Sequence, residues 1–459
     1  MRKGFRKVAL LLVTAMLISS CGCSVPDVGS TPDVSSTPDV GSAPDVSSTP
    51  DVGSAPDGDR KPGETAVETE GEIYFNEYAS LAGLAKQYGF SLGTVIGDRE
   101  MADEEYKELV EWHFNSLTAG NEMKAYSLLD QKASQENPDG MPVMNYEKAD
   151  KIVAFAQENK IAVRGHTLVW DAYMADWFFR EGYKNAGEYV DAETMKERLK
   201  YYINDVISHF EHNFPGVVYC WDVVNEAVAD DISDCAENDL RRIRRYRNGE
   251  ENPFYAYIGP EYVELAFLYA ADAVDMLKTE NPEVNIQLFY NDYNTFYEEK
   301  RDAICALAES INSFAEDENG GYRKLCDGIG MQSYIGGYGK QAGCMNENDL
   351  LKIEEAILLY ASMGLTVHAT ELAVRNYEAD AYETAKHAAF YQSLFEVYVR
   401  VNSGEEKPLA SVSIWGLCDN PGLSESDYGY KMNGPYCGLF DEKYNVKDSF
   451  KEVYEFLKP

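Results

Sequence analysis

Runs of β-branched and aromatic residues, each closed by a polar tip, recur from about residue 72 to the last residue. They predict eight strands, at 90–96, 116–121, 161–170, 217–226, 286–294, 328–335, 365–374 and 410–417. Between them lie longer stretches of helical period, such as 149–159, 195–210, 261–278 and 349–363. Apolar strands alternating with amphipathic helices are the pattern of an α/β protein. Eight repeats predict a (β/α)8 TIM barrel, one domain over 72–459.

The first 71 residues have no such pattern. Arg2, Lys3, Arg6 and Lys7 precede an apolar run over 8–18 that is too short to span a membrane, and small residues lead into Cys21. This predicts a lipoprotein signal peptide over 1–20 and a membrane anchor through lipid on Cys21. An ordinary secretory signal with Cys21 incidental is the alternative, and Cys23 is a weaker lipidation candidate. A six-residue unit then repeats, with proline at 26, 32, 38, 44, 50 and 56, so 21–71 reads as a disordered linker. At ~3 Å per residue such a stalk reaches on the order of 100 Å. The expected location is outside the cell, lipid-anchored at a bacterial surface or secreted, facing a large or insoluble target.

Charge narrows the partners. With Lys+Arg 41 against Asp+Glu 78, the net charge of −37 would repel nucleic acid, so neutral or cationic partners fit better. Aromatic residues make up 12% of the chain, including 33 Tyr and 5 Trp, which permits stacking on sugar faces but equally permits core filling. Of nine cysteines, seven lie in the domain, and no CxxC pair argues for zinc. One or two disulfides remain open, and Cys220 reads as a buried apolar residue. No metal or organic cofactor is implied, and a monomer is expected.

Two of the polar tips are carboxylates, Glu226 after Val223-Val224-Asn225 and Glu371 after His368-Ala369-Thr370. Hydrolysis of a glycosidic bond needs such a pair: an acid for the departing oxygen, and a second carboxylate that attacks the anomeric carbon or activates water. By itself, a Glu at a strand end is more often a solvated or ion-paired residue.

Ordered motifs decide between these readings. Asn115-Ser116-Leu117-Thr118 with Asn121-Glu122-Met123-Lys124, Arg164-Gly165-His166-Thr167-Leu168-Val169-Trp170, and Trp221-Asp222-Val223-Val224-Asn225-Glu226 resemble strands two to four of glycoside hydrolase family 10. Tyr290-Asn291-Asp292-Tyr293-Asn294, Gly330-Met331-Gln332-Ser333, Ala369-Thr370-Glu371-Leu372 and Ile414-Trp415-Gly416 continue the match in order. The resemblance implies a retaining endo-β-1,4-xylanase with Glu226 as general acid/base and Glu371 as nucleophile. It implies substrate contacts from Asn121, Lys124, His166, Trp170, Asn225, Tyr293, Gln332, Tyr334 and Trp415. His166 alone would read as a satisfied core histidine.

The chain also departs from the family's usual residues. It has Tyr334 where histidine is usual and Ala373 where aspartate is usual, so Tyr334 is expected to donate its hydroxyl to Glu371. On the non-reducing side it has Gly120, Ala125, Asp171 and Tyr173 in place of a polar clamp. Glycone recognition is therefore expected to be altered, by about 1 to 3 kcal/mol for each lost partner. The leading expectation is a xylanase with a modified glycone subsite. The alternatives are a retaining hydrolase of another β-glycan or glycoside, and a surface glycan-binding protein of low turnover.

Overall fold

A computed structural model describes residues 73–337 and 345–459. The segments read as a signal peptide and linker, with Cys21, lie outside the described residues. Eight parallel strands close into a barrel in sequence order: β1 (Ser91–Ile96), β2 (Ser116–Ala119), β3 (Ala162–Val169), β4 (Val218–Asn225), β5 (Gln287–Asp292), β6 (Gly328–Ile335), β7 (Thr366–Val374) and β8 (Leu409–Ile414). Each predicted run overlaps one of them, the last strand starting one residue before its run, and the TIM barrel expectation holds.

Where the runs overshoot, the chain leaves the ladder to aim a tip. Glu226 and Asn294, just beyond β4 and β5, adopt φ of 56° and 57°. Non-glycine residues seldom occupy that region, and they mark places where neighbouring structure fixes the backbone. Register shifts interrupt the β6–β7 and β7–β8 ladders around Glu371, as at a β-bulge.

The outer helices follow from spacing and caps. In Ala192–Asn213 the buried Leu199, Tyr202, Ile203, Val206 and Phe210 recur at three- and four-residue intervals. The Asp191 side chain accepts the Thr194 amide at its start. Each such side chain contributes about 1.5 to 3 kcal/mol by leaving water. No described helix is long and apolar enough to cross a membrane. The described cysteines are free thiols, so no disulfide forms among them, and Cys220 is buried as its strand position predicts; Cys344 lies outside the described residues.

Inside the barrel, Arg164 on β3 grips Asp222 on β4 through both Nη atoms, at 3.0 and 2.5 Å. Its Nε donates to His368 Nδ1 on β7 at 3.1 Å. Both members of this ion pair are buried. Burial would raise the Asp222 carboxyl, but Arg164 and His166 outweigh it and hold the group below the usual carboxylate range.

Candidate active site

Glu226 and Glu371 stand at the C-terminal mouth of the barrel. Glu226 follows β4 directly, whereas Glu371 sits within β7, where a φ of 53° turns its side chain out of the ladder's alternation. Both residues are shielded, at 8% and 7% exposure.

Three amides join them. Asn291 Nδ2 donates to Glu371 Oε1 at 3.1 Å and to Asn225 Oδ1 at 2.9 Å. Gln332 Nε2 donates to the same Asn225 oxygen and to Glu226 Oε1, both at 3.1 Å. The Thr370 hydroxyl orients Asn291 by donating to its Oδ1 at 2.7 Å. Fixed amide donors therefore position both carboxyl groups, while Asn225 Nδ2, a buried donor, has no hydrogen-bond partner among the described residues.

The second oxygen of Glu371 accepts the Tyr334 hydroxyl at 2.5 Å. Tyr334 and Ala373 are register partners on β6 and β7, so the expected replacement pair is adjacent in the sheet.

The second oxygen of Glu226 meets Arg247 Nη1 at 3.2 Å. Arg247 also forks onto Asp171, from Nε at 2.9 Å and Nη2 at 2.8 Å, and its Nη2 donates to the Glu226 carbonyl at 3.0 Å. Burial raises the Glu226 carboxyl above the usual range, and Arg247 opposes that rise most strongly.

Arg247 was not among the residues the sequence reading selected. It lies on a two-stranded hairpin, Tyr246–Arg247 against Glu250–Glu251, whose turn residues Asn248 and Gly249 have φ of 54° and 81°. The Asn-Gly pair between two short polar runs is the signal that marks such a turn. Asp171, read from sequence as a new carboxylate in the glycone site, is instead engaged by this arginine.

Aromatic residues form the neighbouring wall. Trp170 and Tyr173 have ring centroids 4.4 Å apart, and Tyr126 extends the group at 5.4 Å from Tyr173. Lys124 Nζ lies 5.3 Å from the Trp170 ring and 4.8 Å from that of Tyr173, and donates to Asn121 Oδ1 at 3.1 Å. Burial lowers the Lys124 ammonium, with Glu371 and Glu226 opposing the fall.

His166 is 6.2 Å from both Trp170 and Trp415, and its Nδ1 lies 2.9 Å from Asp222 Oδ2. That carboxylate accepts the Nδ1 proton, which leaves Nε2 as the free nitrogen. Tyr293 stands apart from the wall: its hydroxyl donates to Asp230 at 2.5 Å and also meets Arg244 at 3.2 Å. Among the described residues no cluster of ligand-type side chains could hold a metal ion.

Two shielded carboxyl groups stand at the mouth of a parallel barrel with fixed amide donors and an aromatic wall, an arrangement chemically able to do acid–base and nucleophilic work. Comparison with known proteins specifies the class: residues 80–456 match the model of glycosyl hydrolase family 10, and the chain belongs to that family.

Endo-1,4-beta-xylanase A of Thermotoga maritima is 36% identical over 414 residues, 87% of this chain and 33% of that protein. Endo-1,4-beta-xylanase B of Butyrivibrio fibrisolvens is 32% identical over 370 residues, 79% of this chain and 51% of that protein. The match thus spans about a third to a half of these relatives. Among solved structures, the CBM22-1–GH10 modules of Clostridium thermocellum endo-1,4-beta-D-xylanase 10B, complexed with xylohexaose, superpose with a TM-score of 0.67 at 28% identity. That superposition covers 83% of this chain and 68% of the other.

Proposed function

We propose that the protein is a retaining endo-β-1,4-xylanase that cleaves internal xylosidic bonds by double displacement, with an altered glycone subsite. The observation that carries this reading is the amide relay between Glu226 and Glu371, which leaves Asn225 Nδ2 as an unpaired buried donor.

In the first step Glu371 attacks the anomeric carbon, and the bond to the departing oxygen breaks as Glu226 transfers its proton to that oxygen. In the second, Glu226 takes a proton from water, whose oxygen displaces Glu371 from the anomeric carbon and regenerates both groups. Burial favours the protonated form of Glu226 that the first step needs. Asn225 Nδ2 would donate to the sugar 2-hydroxyl, a bond that strengthens as charge develops in the transition state. His166, Lys124, Trp170 and Trp415 would line the same sugar, with Asn121 acting through Lys124. Gln332 and Tyr334 would act by holding the two carboxylates.

The reading of an altered glycone site is supported by the aromatic group Trp170, Tyr173 and Tyr126, and by the engagement of Asp171 by Arg247. Cationic residues before an apolar run, then Cys21 and the proline repeat, support export over 1–20, lipid attachment at Cys21 and a spacer over 21–71 ahead of the 72–459 domain.

The test is reducing-end release by residues 73–459 on plain xylan, arabinoxylan, glucuronoxylan and mixed-linkage glucan, with Glu371→Ala as control. Cleavage of a xylan by the parent alone is expected. Cleavage of the glucan only would move the assignment to another β-glycan, and binding without turnover in both proteins would favour a glycan-binding role.

A further inference from the structure

Arg247 bridges two strand tips. Its guanidinium forks onto Asp171, just beyond β3, and reaches both the carboxyl and the carbonyl of Glu226, just beyond β4. The Asp171 side chain is 4% exposed and that of Arg247 16%, so the pair lies largely out of water, where charge interactions are strong. The hairpin that carries Arg247 is itself anchored. Arg244 donates its backbone N–H to the Ala227 carbonyl at 2.7 Å and Arg245 donates its own to the Asp234 carbonyl at 2.6 Å, and Asn252 closes the hairpin's base through the Arg245 and Arg244 carbonyls at 2.7 and 3.0 Å. The guanidinium is thus delivered by a fixed element rather than by a swinging side chain.

An arginine in contact with a carboxylic acid presents a conflict. A lone cation there would favour the carboxylate, the wrong form for an acid. Asp171 resolves it, because a bidentate carboxylate cancels most of the guanidinium charge while leaving Nη1 to orient Glu226 Oε2.

We propose that Arg247, neutralised by Asp171, is a positioning residue that aims the Glu226 carboxyl group and sets the pH at which it gives up its proton. The proposal rests on the reading of Glu226 as the acid/base. Other charged or titratable groups face Glu226 from the neighbouring elements: Arg244 holds its carbonyl at 3.3 Å, while Asp292, Lys124, Tyr173 and Tyr293 act at longer range. None of these is bonded to Oε2, so Arg247 is the group whose removal should be felt there.

The signs of the two deletions are opposite. Asp171→Asn leaves Arg247 with its full charge against Glu226, which favours the carboxylate. Arg247→Met removes the cation and leaves Asp171 as a near neighbour, which favours the protonated acid. The alkaline limb of kcat/KM against pH, read with phenyl β-xylobioside, whose poorly activated leaving group departs with the proton of the acid, reports loss of that proton. Asp171→Asn should move that limb down by about one unit and Arg247→Met should move it up by a similar amount. Asp171→Asn/Arg247→Met should fall between the two, and Arg247→Lys should lie nearer the parent than Arg247→Met does.

Should Arg247→Met fail to fold, Asp171→Asn with Arg247→Lys still supplies a signed shift. Limbs that stay in place, or move in the same direction in both single variants, overturn the proposal. Glu226→Ala separates the two levels: it should abolish the limb. If it leaves the limb intact, the acid/base reading fails; if it abolishes the limb while the Asp171 and Arg247 variants do nothing, only the positioning role fails.

Discussion

A single methyl group should uncouple the two glutamates. Gly330 lies on β6 opposite Asn291 of β5, and a Cβ there would meet Asn291 Oδ1 at 2.2 Å, its Cγ at 3.0 Å and its Cβ at 3.2 Å. Asn291 is fully buried, so it has no open space to swing into. In Gly330→Ala its amide must retreat by about 1 Å to reach ordinary contact, away from the Thr370 hydroxyl, Asn225 Oδ1 and Glu371 Oε1, now at 2.7, 2.9 and 3.1 Å. Displacement on that scale costs on the order of 100-fold in rate when it misplaces a reacting group. The overpacking itself costs about 1 to 3 kcal/mol of stability.

The assay pairs kcat/KM on soluble xylan with chemical denaturation. Gly83→Ala serves as control, because the contacts of its added methyl begin at 3.5 Å. A Gly330→Ala protein that retained activity within about threefold of the parent, a change worth under 1 kcal/mol, would refute the claim that Asn291 positions Glu371.

Tyr334→His together with Ala373→Asp should recover more activity than Tyr334→His alone, because the two positions are register partners; equal rates would show that they act independently. Asp222→Asn should cost about 3 to 5 kcal/mol in denaturation, since it leaves the Arg164 guanidinium buried without its counter-charge, and a loss below about 1 kcal/mol would contradict that pairing. Burial pushes His113 down to about 4 and His387 to about 3, so both are neutral in the fold while the unfolded chain takes up protons below 6.5. Their stabilisation is therefore complete above pH 6.5 and is lost as pH falls from there towards 4 and 3, on the order of several kcal/mol between them. The dependence of unfolding free energy on pH over that window should flatten in His113→Asn and His387→Gln, and an unchanged slope would show that the imidazoles do not carry it.

The barrel was legible because its strands are largely buried and read as runs rich in apolar and β-branched residues that alternate with helical stretches. Glu226 and Glu371 stood out as carboxylate tips on that basis, and the ordered motifs singled them out as the candidate pair and supplied their neighbours. Arg247 could not, since it lies in the strongly charged stretch from Arg241 to Glu251, which reads as solvated loop. Only its Asn-Gly turn hints at a hairpin, and nothing local says that the hairpin folds back over β4. Asp171 was visible as an unusual carboxylate, but its partner lies 76 positions away, so its role as a counter-ion emerges only from the fold. Tyr293 was visible through its motif, while the hydrogen bonds of its hydroxyl to Asp230 and Arg244 emerge only from the fold.

The most direct test of the central claim traps the covalent intermediate. Incubation with a 2-fluoro β-xylobioside bearing a good leaving group, followed by proteolysis and mass analysis, should place the sugar on the peptide carrying Glu371 and leave Glu371→Ala unlabelled. A label on any other residue, or turnover by direct displacement with inversion and no label, would contradict the account.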